Sequence, residues 1–164
     1  MASLDWGYFN LIVESGNRTG AHSMFKVFAA TAIAALFLSG VALAENTPAP
    51  LNHYLYIGWP QDGSVIAAGE PFRVWFGLRD MGVAPKGVNY PNTGHHHLLI
   101  DTDLPPLGQE IPSDRKHLHF GAGETETMLE LPPGKHTLQL LMGDSRHIPH
   151  DPPVYSKKIT ITIK

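Results

Sequence analysis

Between residues 53 and 163, apolar and polar residues alternate in short runs, and the runs stop at clusters of Pro, Gly, Asn or Asp. This pattern constrains the fold most. Phe72, Val74, Phe76 and Leu78 share one side of a run, with Arg73 and Trp75 on the other. Ile159, Ile161 and Ile163 alternate with Thr160 and Thr162 in the same way. A period of two is the mark of a half-buried strand. No stretch of this region keeps a helical period, and 16 Gly and 14 Pro supply frequent turns. Strands are expected over 53–57, 72–78, 95–101, 117–120, 125–131, 136–142 and 154–163, with a short extended piece at 64–67. Pro132-Pro133-Gly134 reads as a tight hairpin between two of them. About seven short strands predict an all-β, immunoglobulin-like antiparallel β-sandwich, with a jelly roll as the second choice.

The preceding residues read differently. Met24-Phe25-Lys26 opens a basic start, 27–38 is uncharged and apolar, Ser39-Gly40 breaks the run, and Ala42-Leu43-Ala44 offers small residues to a peptidase. This predicts a signal peptide over 24–44, cut after Ala44, and a periplasmic protein. The apolar run of about 12 to 17 residues falls short of the roughly 20 that span a bilayer, so no stable membrane span is expected after cleavage. Residues 1–23 carry Asp5 and Glu14, which is unusual for a leader, and are read as a non-native extension, with a genuine N-terminal appendage as the alternative. Glu45 to Asn52 is then a linker and 53–164 the sandwich domain.

Composition removes several chemistries. The absence of Cys excludes disulfides, thiolate metal sites and a Cys nucleophile. A net charge of −3 gives no basic surface for nucleic acid. No Gly-x-Ser-x-Gly, His-Glu-x-x-His, Walker or dinucleotide pattern occurs, so no catalytic residue is assigned. A metal-dependent oxidase or hydrolase would need an open coordination position beside a pocket.

Histidine is the excess: 10 residues, of which all but His22 follow Ala44. On a strand His95 and His97 point together with Leu99 and Asp101, while His96 points with Leu98 and Ile100 toward the core. His117 and His119 form a second such pair, and His147 and His150 lie in a Pro-rich loop. Counting strands up and down places His95, His97, His117, His119, His147 and His150 at one end of the sandwich, with His53 near them and His136 at the opposite end. Neutral imidazole is the commonest protein ligand for Cu and Zn. Those six are the candidate metal ligands, with a copper or zinc ion as cofactor. Asp101, Asp144 and Asp151 are candidate carboxylate partners, and Met81 and Met142 candidate thioethers. The plainer alternative is that the rings cap loop carbonyls and bind nothing. Tyr54, Tyr56 and Trp75 would line an outer sheet face, as ordinary packing or as a platform for a sugar or peptide.

The stretches Met81-Gly-Val-Ala-Pro85, Asn92-Thr-Gly-His-His-His-Leu-Leu-Ile-Asp-Thr-Asp103, His117-Leu-His-Phe-Gly-Ala-Gly-Glu-Thr-Glu-Thr127, Leu131-Pro-Pro-Gly-Lys-His-Thr-Leu-Gln-Leu140 and His147-Ile-Pro-His-Asp-Pro-Pro153 resemble the exported bacterial family catalogued as domain of unknown function 4399. The resemblance runs over residues 53 to 163. It implies a small exported domain without an established activity, and a family pattern that includes His95, His96, His97, His119, His147 and His150. Two functions are therefore expected in competition. One is metal carriage, storage or buffering, copper favoured and zinc next. The other is a metal-free immunoglobulin-like module that contacts an envelope protein.

Overall fold

The computed structural model describes residues 46–164. The expected leader and the extension before it lie outside the described residues. Among the described residues there are nine strands and no helix: β1 (Tyr54–Trp59), β2 (Val65–Ile66), β3 (Phe72–Arg79), β4 (Gly82–Val83), β5 (Thr93–Ile100), β6 (His117–Phe120), β7 (Glu126–Leu129), β8 (Gly134–Gly143) and β9 (Ile159–Ile163).

They form two facing sheets. One has the order β1-β3-β7; the other runs β2-β9-β8-β5, with β4 and β6 both on the free side of β5. The long pairings β1–β3, β3–β7, β5–β6, β5–β8 and β8–β9 are all antiparallel, and only the two-residue strands β2 and β4 pair in parallel. Leaving out those short strands, the first, second and fifth strands make one sheet and the others make the second. This is an all-β, immunoglobulin-like sandwich. Alternation explains the layers. Val74 and Phe76 of β3 and Ile159, Ile161 and Ile163 of β9 meet Leu98, Ile100, Leu138 and Leu140 in the core between the sheets.

Three sequence expectations need correction. The 125–131 and 136–142 runs do not form a hairpin: β7 pairs with β3 and β8 with β5 and β9, so 130–133 crosses between sheets. Each run has one strongly apolar face, and placing them in opposite sheets buries both against the same core. The last strand begins at Ile159, not at 154. Before it Tyr155 bridges Leu141, and the Ser156 hydroxyl accepts the Leu140 N–H at 2.9 Å. The short β4 was not anticipated, because Gly82-Val83 has too little sequence to show a period.

β5 decides where function can lie. Seven of its eight residues are buried, on both faces. One face looks into the core. The other is roofed by the 101–116 and 144–150 loops, which hold a second apolar cluster of Leu99, Ile111 and Leu141 with Leu104 beside it. The two loops are tied together where Ile111 N–H donates to the His147 carbonyl at 2.8 Å.

Residues of the expected linker are docked on these loops. The Thr47 hydroxyl donates to Asp144 Oδ2 at 2.6 Å, and Asp151 N–H donates to the Thr47 carbonyl at 3.0 Å. Burial pushes the Asp144 carboxyl up, but bonds from Thr47, the Ile148 and Arg146 amides and the Arg146 side chain outweigh it and hold the group below the usual range.

Candidate metal centre

His95 and His97 stand two apart on β5, and His119 of β6 pairs directly with His97. Cross-strand partners put their side chains about 5 Å apart on one face. The strand ladder therefore presents three rings in a triangle before any loop is placed. Gly143 of β8, the partner of His95, leaves the space they need. A Cβ there would stand 2.8 Å from His97 Cε1, 3.3 Å from His95 Nε2 and 3.2 Å from Ile111 Cδ1. Gly121 does the same for His119, whose Nε2 would lie 2.6 Å from a Cβ at that position.

The roof supplies the fourth ring. His147 sits in the loop after β8 with a left-handed backbone, φ 70°. Its Nε2 comes to 2.5 Å from His97 Nε2. All pairs among His95, His97, His119 and His147 have ring centroids between 4.3 and 5.4 Å apart. One donor nitrogen from each lies within 4.8 Å of all the others. A tetrahedral ion with metal–nitrogen bonds of about 2.0–2.1 Å places neighbouring donors about 3.3 Å apart, so this spread accommodates one ion.

The nitrogens are dry and underused. Both ring nitrogens of His95, Nδ1 of His97 and Nε2 of His119 are buried without a hydrogen-bond partner. Most buried polar atoms in folded proteins are paired, so four unpaired nitrogens on three converging rings ask for a ligand. Their protonation state suits a cation. Burial pushes the His95 ring down to about 4, helped by the like charges His119 and His147 would carry. Burial, with His95, His147 and His119, pushes His97 down to about 2. His119 is lowered for the same reasons, burial first. At neutral pH these rings are uncharged and keep free lone pairs.

One carboxylate reaches the cluster. His147 Nδ1–H donates to Glu110 Oε1 at 3.0 Å, and Lys86 Nζ lies 3.4 Å from the same oxygen. The His147 bond first, then Lys86, holds the Glu110 carboxyl below its usual range.

The six expected ligands divide. His95, His97, His119 and His147 are brought together on the outer face of the larger sheet, rather than at an end of the sandwich. His117 and His150 are not with them. His117 shares the face of His119 but lies opposite Leu99, two residue pairs further along, where Nδ1 bonds Asp114 Oδ1 at 2.9 Å. His150 packs over Gly94 on the core-facing side of β5 and turns Nε2 to the Thr93 carbonyl at 3.1 Å. The strand count gave an end but not a face, which is why it grouped all six.

The remaining candidates have other roles. His96 is in the core against Phe76, ring centroids 5.2 Å apart, with Nδ1 3.1 Å from the Glu124 carbonyl. Burial pushes it down to about 4. His53 bonds the Pro50 carbonyl. His136 pairs with Asp101 at 2.7 Å, and that bond outweighs burial and raises its pKa. Asp144 and Asp151 hold the loop and the docked segment, and Met142 is core. Glu110 escaped sequence reasoning. It stands alone in a long loop, and only the loop's path brings it to His147.

A family model described as Domain of unknown function (DUF4399) matches residues 74–164, more than half of the sequence and the whole of the cluster. The chain belongs to the DUF4399 family. Among curated proteins none matches this DUF4399 chain. One solved structure similar to it is titled "Structures of Clostridium thermocellum CbhA fibronectin(III)-like modules", at 12% identity and a TM-score of 0.35. That similarity takes in 68% of the DUF4399 chain but only 45% of the other, so the chain spans less than half of that protein's length. Among the described residues, no helix is long and apolar enough to cross a membrane.

Proposed function

We propose that this protein is exported to the periplasm and there carries, stores or buffers a transition metal. His95, His97, His119 and His147 hold the ion. One observation carries the reading: donor nitrogens of four imidazoles, from two strands and a loop, lie within 4.8 Å of one another, and each of the three strand-borne rings keeps a buried nitrogen without a hydrogen-bond partner. An all-nitrogen donor set favours Cu(II), with Zn(II) next, since affinity for such sites peaks at copper among divalent first-row metals. Four protein ligands under a roof of loops leave no open position, which suits holding an ion more than catalysis. Elemental analysis of untagged protein purified from the periplasm tests this, followed by chelation and a thermal melt. The expected result is one metal per chain and a melting temperature that falls on chelation and recovers with Cu(II) or Zn(II). Absence of metal, with no shift on adding either ion, would sink the proposal.

A second reading, an envelope interaction module, is favoured by a different surface. Tyr54 and Trp75 are 56% and 40% exposed on the outer face of the smaller sheet. Tyr54 stacks on Tyr56 at 5.3 Å, and Trp75 stands edge-on to Tyr56 at 6.1 Å. These rings border a cleft of about 410 Å³ with Gln61 and Lys157. Exposed Tyr and Trp are typical anchors of protein contacts. Under this reading Tyr56→Ala and Trp75→Ala abolish envelope pull-downs, and chelator has no effect on them.

A further inference from the structure

The four rings of the cluster are not held alike. His95, His97 and His119 project from hydrogen-bonded strands whose register fixes them. His147 hangs from a loop. Its backbone is fixed at N–H by the Asp144 carbonyl at 2.9 Å and at C=O by Ile111 at 2.8 Å. Its ring is fixed by Glu110. No other ring in the cluster bonds a carboxylate among the described residues.

We propose that Glu110 is the positioning residue of this site and that the 144–150 loop is the side from which an ion is exchanged. This rests on the metal reading above. A carboxylate can only accept, so its bond at 3.0 Å puts the His147 proton on Nδ1. That leaves Nε2 as a lone pair aimed at His97, which is the atom a metal would take. Bonds of this kind orient a metal-ligating imidazole and raise its basicity. Lys86 stands 3.4 Å from both Glu110 Oε1 and His147 Nδ1. An ammonium cannot donate to a nitrogen that already carries a proton, so its partner is the carboxylate. Lys86 therefore holds Glu110 in place.

The arrangement also gives a direction. The His147 side chain is 3% exposed, whereas that of Glu110 is 64% exposed. The ligand lies just beneath the surface and its support lies on it. Releasing Glu110 frees the single loop-borne ring without disturbing a strand. The other three rings stand on strands that the sheet holds in register.

The test compares wild type with Glu110→Ala and Glu110→Gln. In metal-free protein, ¹⁵N NMR of the His147 ring reads the tautomer directly. In Cu(II)-loaded protein, the rate of copper loss to a chelator reads the hold on the ion. Wild type should show the Nδ1–H form. Glu110→Ala should give a mixture of tautomers and lose copper about 10–100-fold faster. Glu110→Gln should stay within a few-fold of wild type, because its amide oxygen accepts the same proton. The metal-free melting temperature of both variants should match wild type, since Glu110 is at the surface. An unchanged tautomer and loss rate in Glu110→Ala would overturn the proposal. Loss from Glu110→Gln as fast as from Glu110→Ala would also overturn it, since charge rather than the bond would then matter. Failure of wild type to take up Cu(II) would overturn the metal reading, and the tautomer measurement would still decide the role of Glu110.

Discussion

Without a bound ion, this protein should be sensitive to mild acid. His95, His96 and His97 are fully buried and held at about 4, about 4 and about 2, against an ordinary value of 6.5. The unfolded chain therefore binds more protons than the folded one as pH falls below 6.5. Stability rises with pH wherever that holds, so it is lost as pH falls from 6.5 toward 4. At pH 5 each unfolded ring is almost fully protonated and each folded ring almost fully neutral. The difference is about 2 kcal/mol per ring, or about 6 kcal/mol for the set. The sum at pH 5 hardly depends on how far below 5 each folded ring is held. His119 and His150 are lowered too and add in the same direction. His136 is raised, so its contribution is present below 6.5 and lost as pH rises through its folded value; it offsets part of the loss. A loss of about 6 kcal/mol is a large share of the 5–15 kcal/mol that small domains possess. The assay is urea unfolding in chelator from pH 7.5 to 5, followed by the fluorescence of Trp59 and Trp75. The midpoint should fall steeply at constant slope. His96→Leu, outside the four-ring cluster, should remove about one ring's share of the pH dependence. A midpoint that does not move between pH 7.5 and 5 would refute the claim that these rings are buried and neutral.

Three further outcomes follow from the geometry. His119→Ala should abolish the rise in melting temperature on adding Cu(II), whereas His117→Ala should keep it, because His117 faces Asp114 and not the cluster. Gly143→Ala forces a methyl to 2.8 Å from His97 and 3.3 Å from His95, so Cu(II) affinity measured by chelator competition should fall by more than tenfold. Overpacking should add a stability loss of about 1–3 kcal/mol in urea. Thr47→Ala leaves an oxygen of the buried Asp144 short of a donor, costing about 1–3 kcal/mol, which a thermal melt at neutral pH would read.

The sandwich was legible because its edges and faces follow single runs of sequence. The alternation in 72–78 and 159–163 reports which side of each strand is buried, and Gly and Pro mark the ends. The histidines of β5 and β6 were legible for the same reason, since period two puts His95 and His97, and His117 and His119, on shared faces. Register was not legible. Only the ladder pairing of His97 with His119 separates His119 from His117. The side of β5 taken by the 147–150 stretch was hidden as well. Pro149 pairs with Gly143 as the chain rounds the strand end, and this sends His147 above the sheet and His150 below it. Glu110 and the docking of Thr47 depend on the paths of long loops, which carry no period to read.

Among the described residues, unpaired buried side-chain nitrogens concentrate in the cluster, with one more on each of His96 and His150. Gln139 bonds the Ser156 carbonyl, Ser156 bonds the Leu140 amide, and Asp144 is satisfied from four directions. Yet both nitrogens of His95, one of His97 and one of His119 stay dry and unpaired within one small volume. A buried polar atom without a partner costs about 1–3 kcal/mol. Apolar side chains of similar size would fill the same space without that cost, as Leu99, Ile111 and Leu141 do on the same face. Local rules of this kind are broken chiefly at functional sites. An ion bound by His95, His97, His119 and His147 would take one nitrogen of each ring at once and tie two strands and the 144–150 loop together at one point. The same logic makes the metal-free state the one in which the roof loops open first. Amide hydrogen exchange at Ile111 and His147, whose backbones bond each other, should therefore slow markedly when Cu(II) is added. Equal exchange with and without the ion would mean that the roof does not feel the site beneath it.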